Sequence, residues 1–127
     1  MSWWEDAVGS TAETRRSFSR IEVEEYADLT GDVPAAGEVP EPLITGLFSK
    51  LLGVDLPGPG TNYLKQDAQF VSQASLGEML HAVVEVTRVR PEKRLVDLAT
   101  TCRGADGRLI CHGRALVVAR GHHHSTA

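Results

Sequence analysis

Three carboxylates crowd one proline-rich stretch: Asp32, Glu38 and Glu41. A carboxylate held beside a cavity can carry protons, and burial raises its pKa toward neutrality, so each is a candidate general acid or base. Asp32 directly follows Gly31, a position where Asp most often serves as a turn or cap residue. Glu38 and Glu41 sit in a loop, where acids usually meet solvent. Cys102 and Cys111 are the thiols. If Asp106-Gly107 is a hairpin turn, they face each other across two strands as a pair of reduced core cysteines. His81 is expected on the polar face of its strand, beside Glu85. His122, His123 and His124 are read as part of a flexible tail. Two cysteines are too few for a four-thiolate zinc site, and neither a metal nor a cofactor is expected.

The elements that must position these groups follow from period and punctuation. Residues 1–14 mix types without period and read as a flexible leader, although Trp3 and Trp4 side by side are candidates to dock. Ser19 to Thr30 reads as a short strand and then a helix with acids in its first turn, stopped by Gly31. Val33 to Pro42 is a loop by its prolines. Leu43 to Val54 carries apolar residues at 43, 44, 47, 48, 51 and 52, the pattern of a helix buried over much of its girth. Gly53 and Pro57-Gly58-Pro59-Gly60 end it. The period then becomes two. Tyr63 to Val71, Met79 to Arg90, Leu95 to Arg103 and Arg108 to Arg120 read as strands, the last three forming an antiparallel meander. One apolar helix and one large sheet give an α+β fold with the sheet wrapped around the helix. Its open edge calls for a dimer that continues the sheet.

At 127 residues the chain is one domain, read as 15–120, with residues 121–127 as a tail. Thirteen Lys and Arg against 17 Asp and Glu give a net charge of −4, without the basic footprint that nucleic-acid binding needs. No apolar run reaches the ~20 residues of a membrane span, and the start has no secretory pattern, so a cytoplasmic address is expected.

Several motifs resemble one family. Tyr26-Ala27-Asp28-Leu29-Thr30-Gly31-Asp32, Leu47-Phe48-Ser49-Lys50-Leu51-Leu52-Gly53, Leu56-Pro57-Gly58-Pro59-Gly60-Thr61-Asn62-Tyr63-Leu64 and Arg90-Pro91-Glu92-Lys93-Arg94 occur in the order found in MaoC-like (R)-specific enoyl-CoA hydratases. The resemblance covers roughly residues 17–120 and implies a hotdog fold. It also implies an Asp and His pair that adds or removes water across the double bond of an acyl thioester. The family motif runs Gly-Asp, any residue, Asn-Pro, any residue, His. Here Gly31-Asp32-Val33-Pro34-Ala35-Ala36-Gly37 keeps the Asp, lacks the Asn, and puts Ala36 or Gly37 where the His belongs. The overhanging segment that follows is missing, and Thr45 stands where a second family His precedes a Gly.

The resemblance further implies that a backbone N–H at Gly46 or Leu47, near the helix start, holds the thioester oxygen. Asn62, Tyr63 and Gln66 would border the acyl chain. The expected ligand is an acyl-CoA or acyl-carrier-protein thioester, of fatty-acid or polyketide type. The expected chemistry is isomerisation, cyclisation or addition, with Asp32 as proton carrier and Glu38 or Glu41 as a second carboxylate. The alternatives are a non-catalytic subunit paired with an active MaoC-like chain, and an acyl thioesterase. The expected assembly is a homodimer, with a heterodimer as the alternative.

Overall fold

In a computed structural model describing residues 2–32 and 34–122, one antiparallel sheet bends over one helix. The elements are α1 (Trp3–Asp6), β1 (Thr11–Arg16), α2 (Arg20–Thr30), α3 (Glu41–Lys50), β2 (Thr61–Phe70), β3 (Leu80–Arg90), β4 (Leu95–Arg103) and β5 (Leu109–Ala119). The sheet order is β1-β3-β4-β5-β2. The fold is the expected α+β wrap.

The centre of the sheet follows from strict alternation. Leu80, Ala82, Val84 and Val86 on β3 are fully buried, as are Val96, Leu98 and Cys102 on β4, and Val117 and Ala119 on β5. They face Ile44, Leu47, Phe48, Leu51 and Leu52, which α3 and the wider π turn Leu51–Asp55 present on one side. Each Val, Leu, Ile or Phe among them contributes about 1.5–3 kcal/mol through burial, which is why this packing fixes the register.

Helix α2 is delimited by local chemistry. The Ser19 hydroxyl accepts the Glu22 N–H at 3.2 Å, while the Glu22 carboxylate accepts the Ser19 N–H at 3.2 Å. At the other end Gly31 adopts φ 73°, a conformation open to glycine at little cost, and its N–H closes on the Ala27 carbonyl.

The two ends of the chain depart from expectation. Residues 3–6 form a helix and 11–16 a sheet strand, in place of a loose leader and of a strand near residue 19. β1 is an edge strand: Thr11, Glu13 and Arg15 face outward, and of the inward Ala12, Thr14 and Arg16 only Ala12 is apolar, so backbone pairing with β3, from Thr11↔Glu85 to Arg16↔Leu80, holds it rather than an apolar face. Trp4 is buried, and its Nε1–H donates to the His122 carbonyl at 3.3 Å. The Trp3 ring stacks on the His122 ring at 4.2 Å, and His122 Nε2–H donates to the Pro57 carbonyl at 2.7 Å. His122 is therefore docked, while His123 and His124 lie outside the described residues.

The β4–β5 hairpin reaches its expected partnering by another count. Gly104 N–H bonds to the Arg108 carbonyl, so the loop has three residues, 105–107. A bulge between Cys102 and Arg103 then restores Cys102 opposite Cys111. Both thiols are fully buried and reduced. The hydrogen bond between them, together with burial, holds the Cys111 thiol protonated, far above the ordinary thiol range.

Candidate functional site

Asp32 is set by the end of α2. The left-handed Gly31 turns the chain, and the Asp32 N–H donates to Thr30 Oγ1 at 3.2 Å, whose hydroxyl in turn donates to the Tyr26 carbonyl at 2.8 Å. The Asp32 side chain is exposed in the single chain.

The loop after Asp32 is held firmly. The Val39 N–H bonds to the Ala74 carbonyl at 2.9 Å and the Leu76 N–H to the Gly37 carbonyl at 3.0 Å. Glu38 pairs with Ser75 in an isolated antiparallel bridge between them. Two hollows flank this seam. One, of about 300 Å³, lies between α2 and the loop and is lined by Val23, Ala27, Ala36, Glu38 and Leu76 among others; Asp32 is not part of its wall. The other, of about 100 Å³, lies at the start of α3 and is lined by Glu38, Val39, Glu41, Ile44 and Phe70 among others. Glu38 and Glu41 share this hollow.

Gly46 and Leu47 require correction. Helix α3 begins at Glu41, not at the Leu43–Gly46 stretch, because Pro40 and Pro42 suit a helix N-cap and first turn rather than ending a loop there. Gly46 is the sixth helical residue, and its N–H belongs to the helix ladder. Leu47 is a core side chain. The orphan donors belong to the first turn, where Glu41 offers an N–H and Pro42 has none.

Asn62 and Tyr63 lie on opposite faces of β2. Tyr63 pairs with inward-facing Val117, and its hydroxyl donates to Ser49 Oγ at 3.1 Å; partial burial raises its pKa. Asn62 pairs with Val118 on the outer face, so it does not border the same surface. A bulge after Tyr63 returns Gln66 to the inner side, opposite Ala115. Ser49 lies eight residues along α3 from Glu41, about 12 Å of rise, so Tyr63 and the Glu38–Glu41 hollow sit at opposite ends of the helix. Sequence reasoning missed the α2 groove, whose wall comes from three separated segments.

The histidines of the sheet stand elsewhere. His81 lies on the outer face, its Nε2 2.9 Å from Glu13, and His112 is exposed on β5. Among the described residues no cluster of three or more His, Cys, Asp or Glu has metal-binding geometry. Among the described residues no helix is long and apolar enough to cross a membrane. β2 forms one edge of the sheet, with Asn62 through Asp67 all exposed, and Leu64 and Val54 are exposed apolar residues.

No family model matches the chain. It is similar to 3-hydroxybutyryl-CoA dehydratase of Methylorubrum extorquens, 33% identical over 124 residues, covering 87% of this chain and 78% of that protein. It is equally similar, at 33% identity, to the (R)-specific enoyl-CoA hydratase of Aeromonas caviae, covering 87% of this chain and 92% of that one. The solved structure of the A. caviae hydratase, described as involved in PHA biosynthesis, superposes with a TM-score of 0.83 at 32% identity, covering 87% of this chain and 94% of that one. The ChsH1-ChsH2 complex from Mycobacterium tuberculosis shares the fold, with a TM-score of 0.76 at 16% identity, covering 91% of this chain and 99% of that one.

Proposed function

The chain belongs to the MaoC-like (R)-specific enoyl-CoA hydratase family, of hotdog fold, and on that basis we propose that it binds an acyl-CoA or acyl-carrier-protein thioester and moves one proton on its acyl chain with Asp32. The observation that supports this reading is the retained Gly31-Asp32 turn at the end of α2, beside a loop without histidine. Hydration needs one group to activate water and another to protonate carbon. A single carboxylate suffices for double-bond isomerisation. Asp32 takes a proton from carbon, the electron pair spreads onto the thioester oxygen as a dienolate, and the exposed Asp32 carboxyl, its proton exchanging with solvent, delivers a proton to the far end of the dienolate. The first turn of α3, with its Glu41 N–H and positive dipole end, is the nearest physical candidate to hold that oxygen. A second copy of the chain, paired along β2, would supply the missing cover.

A second reading is favoured by the exposure of Asp32: a non-catalytic chain that completes the site of another hotdog subunit. Both are tested by incubating the pure chain with unsaturated acyl-CoAs in deuterium oxide. Labelling of the acyl carbons is expected, falling about a hundredfold or more in Asp32→Asn. Unchanged labelling in that variant removes Asp32 from the chemistry. Labelling that appears only when a second hotdog chain is added selects the partner-subunit reading.

A further inference from the structure

We propose that Cys102 and Cys111 form a reversible thiol–disulfide couple, a redox clamp on the β4–β5 hairpin that closes with hydrogen peroxide as oxidant. The register supplies the geometry. The two residues are direct partners on neighbouring antiparallel strands, so both side chains rise from the inward face of the sheet. Directly opposed residues of such strands stand about 4.5–5.5 Å apart at Cα, inside the span of about 4.4–6.8 Å that a disulfide needs. The bulge is what brings them level. Continued regularly from Arg103↔Leu109, the ladder would set Cys102 against Ile110 and turn Cys111 to the other face. The chain has two cysteines, so no third thiol competes for the bond.

The two thiols divide the chemistry. The hydrogen bond from Cys111 holds the Cys102 thiol below its ordinary value of 9.0, while that same bond and burial hold Cys111 above it. Cys102 is the nucleophile and Cys111 the resolving thiol. The Cys102 thiolate attacks a peroxide oxygen, the O–O bond breaks, and the departing hydroxide takes up the thiol proton as water. The sulfenic acid so formed lies against Cys111. The Cys111 sulfur attacks it, the S–S bond forms, the S–O bond breaks, and the hydroxyl leaves as water with the Cys111 proton. Two thiols and one peroxide give one disulfide and two waters.

Access sets the rate, since both sulfurs are fully buried. The pair lies two residues from the Gly104–Arg108 bond that closes the exposed 105–107 loop, at the end of the strands. Local opening of that end admits a small oxidant. The clamp also borders the candidate site. Cys111 pairs on its other side with Phe70, which lines the Glu38–Glu41 hollow, and the Glu41 charge is felt at the Cys111 sulfur. Closing the bond therefore fastens the sheet beneath the first turn of α3.

The test treats the full, reduced chain with hydrogen peroxide and reads intact mass and free thiols. Loss of both thiols and of two hydrogens per chain is expected, reversed by dithiothreitol, with the oxidised form melting about 5 °C or more higher. Cys111→Ser is expected to stop at one added oxygen on Cys102, captured by dimedone. Cys102→Ser is expected to react about tenfold more slowly than the wild type, or slower still. Circular dichroism checks that both variants fold, and the wild-type masses decide the matter without them. Thiols that survive peroxide in the native chain but react in urea overturn the clamp, as does a disulfide found only between chains. A Cys102→Ser variant that reacts as fast as the wild type overturns the role of Cys102. No readout involves an acyl thioester, so the clamp stands or falls apart from that reading.

Discussion

The two halves of the sheet face different environments. In β3, β4 and β5 the inward residues are sealed against α3, and buried positions alternate with more open ones along β3 and β4. In β2, by contrast, residues from Asn62 to Asp67 are exposed whichever way they point. The outer side of α3 matches it: Pro42, Gly46 and Ser49 are small or polar and open to solvent. One half is finished by its own chain. The other presents backbone and mixed side chains of the kind an edge keeps for a partner. The candidate site, with exposed Asp32 and Glu41, belongs to the unfinished half.

That contrast can be broken most forcefully at Phe48, which is fully buried under the sheet. Phe48→Ala is expected to cost about 3–5 kcal/mol in urea unfolding, and a loss under 1 kcal/mol would mean the closed half is not the stabilising one.

A second probe lies at the hairpin tip of the closed half. Glu78 accepts N–H bonds from Ser75 and Ala105 at 3.1 and 3.0 Å and pairs with Arg108. The Arg108 guanidinium holds its carboxyl below the ordinary value of 4.5. Its folded pKa is depressed, so its contribution is present above pH 4.5 and is lost as pH falls through the lower folded value. Glu78→Gln is therefore expected to lower the neutral-pH melting temperature and to flatten the acid limb between about pH 5 and 3. An acid limb as steep as that of the wild type would locate the acid sensitivity elsewhere.

The smallest effect is at Gly46, where an added Cβ meets nothing within 4 Å. Gly46→Ala is expected to raise the stability of the single chain by about 0.5–1 kcal/mol. If the open half is a docking face, the same variant weakens self-association at high concentration, measured by sedimentation. Gain without that loss would show the stripe to be ordinary surface.

The sequence disclosed the closed half well, because burial on one face imposes a period that composition cannot hide. Leu80, Ala82, Val84 and Val86 recur at every second position and share the buried face, and Cys102 meets Cys111 although a bulge corrects the loop count. β1 left no such trace, because an edge strand is fixed by its backbone pairing rather than by its side chains. The start of α3 was misplaced since Pro40 and Pro42 punctuate a loop and open a helix equally well. Asp32 was legible through its resemblance to a motif. The α2 groove was not, because no local pattern records a space enclosed by residues some fifty positions apart.

The stacking of Trp3 on His122 brings the beginning and the end of the fold within touching distance. A short polar tether could therefore join the two, with fresh ends opened at the solvent-facing tip formed by Ala105, Asp106 and Gly107. Such a rearranged gene should yield the same wrap of sheet around helix.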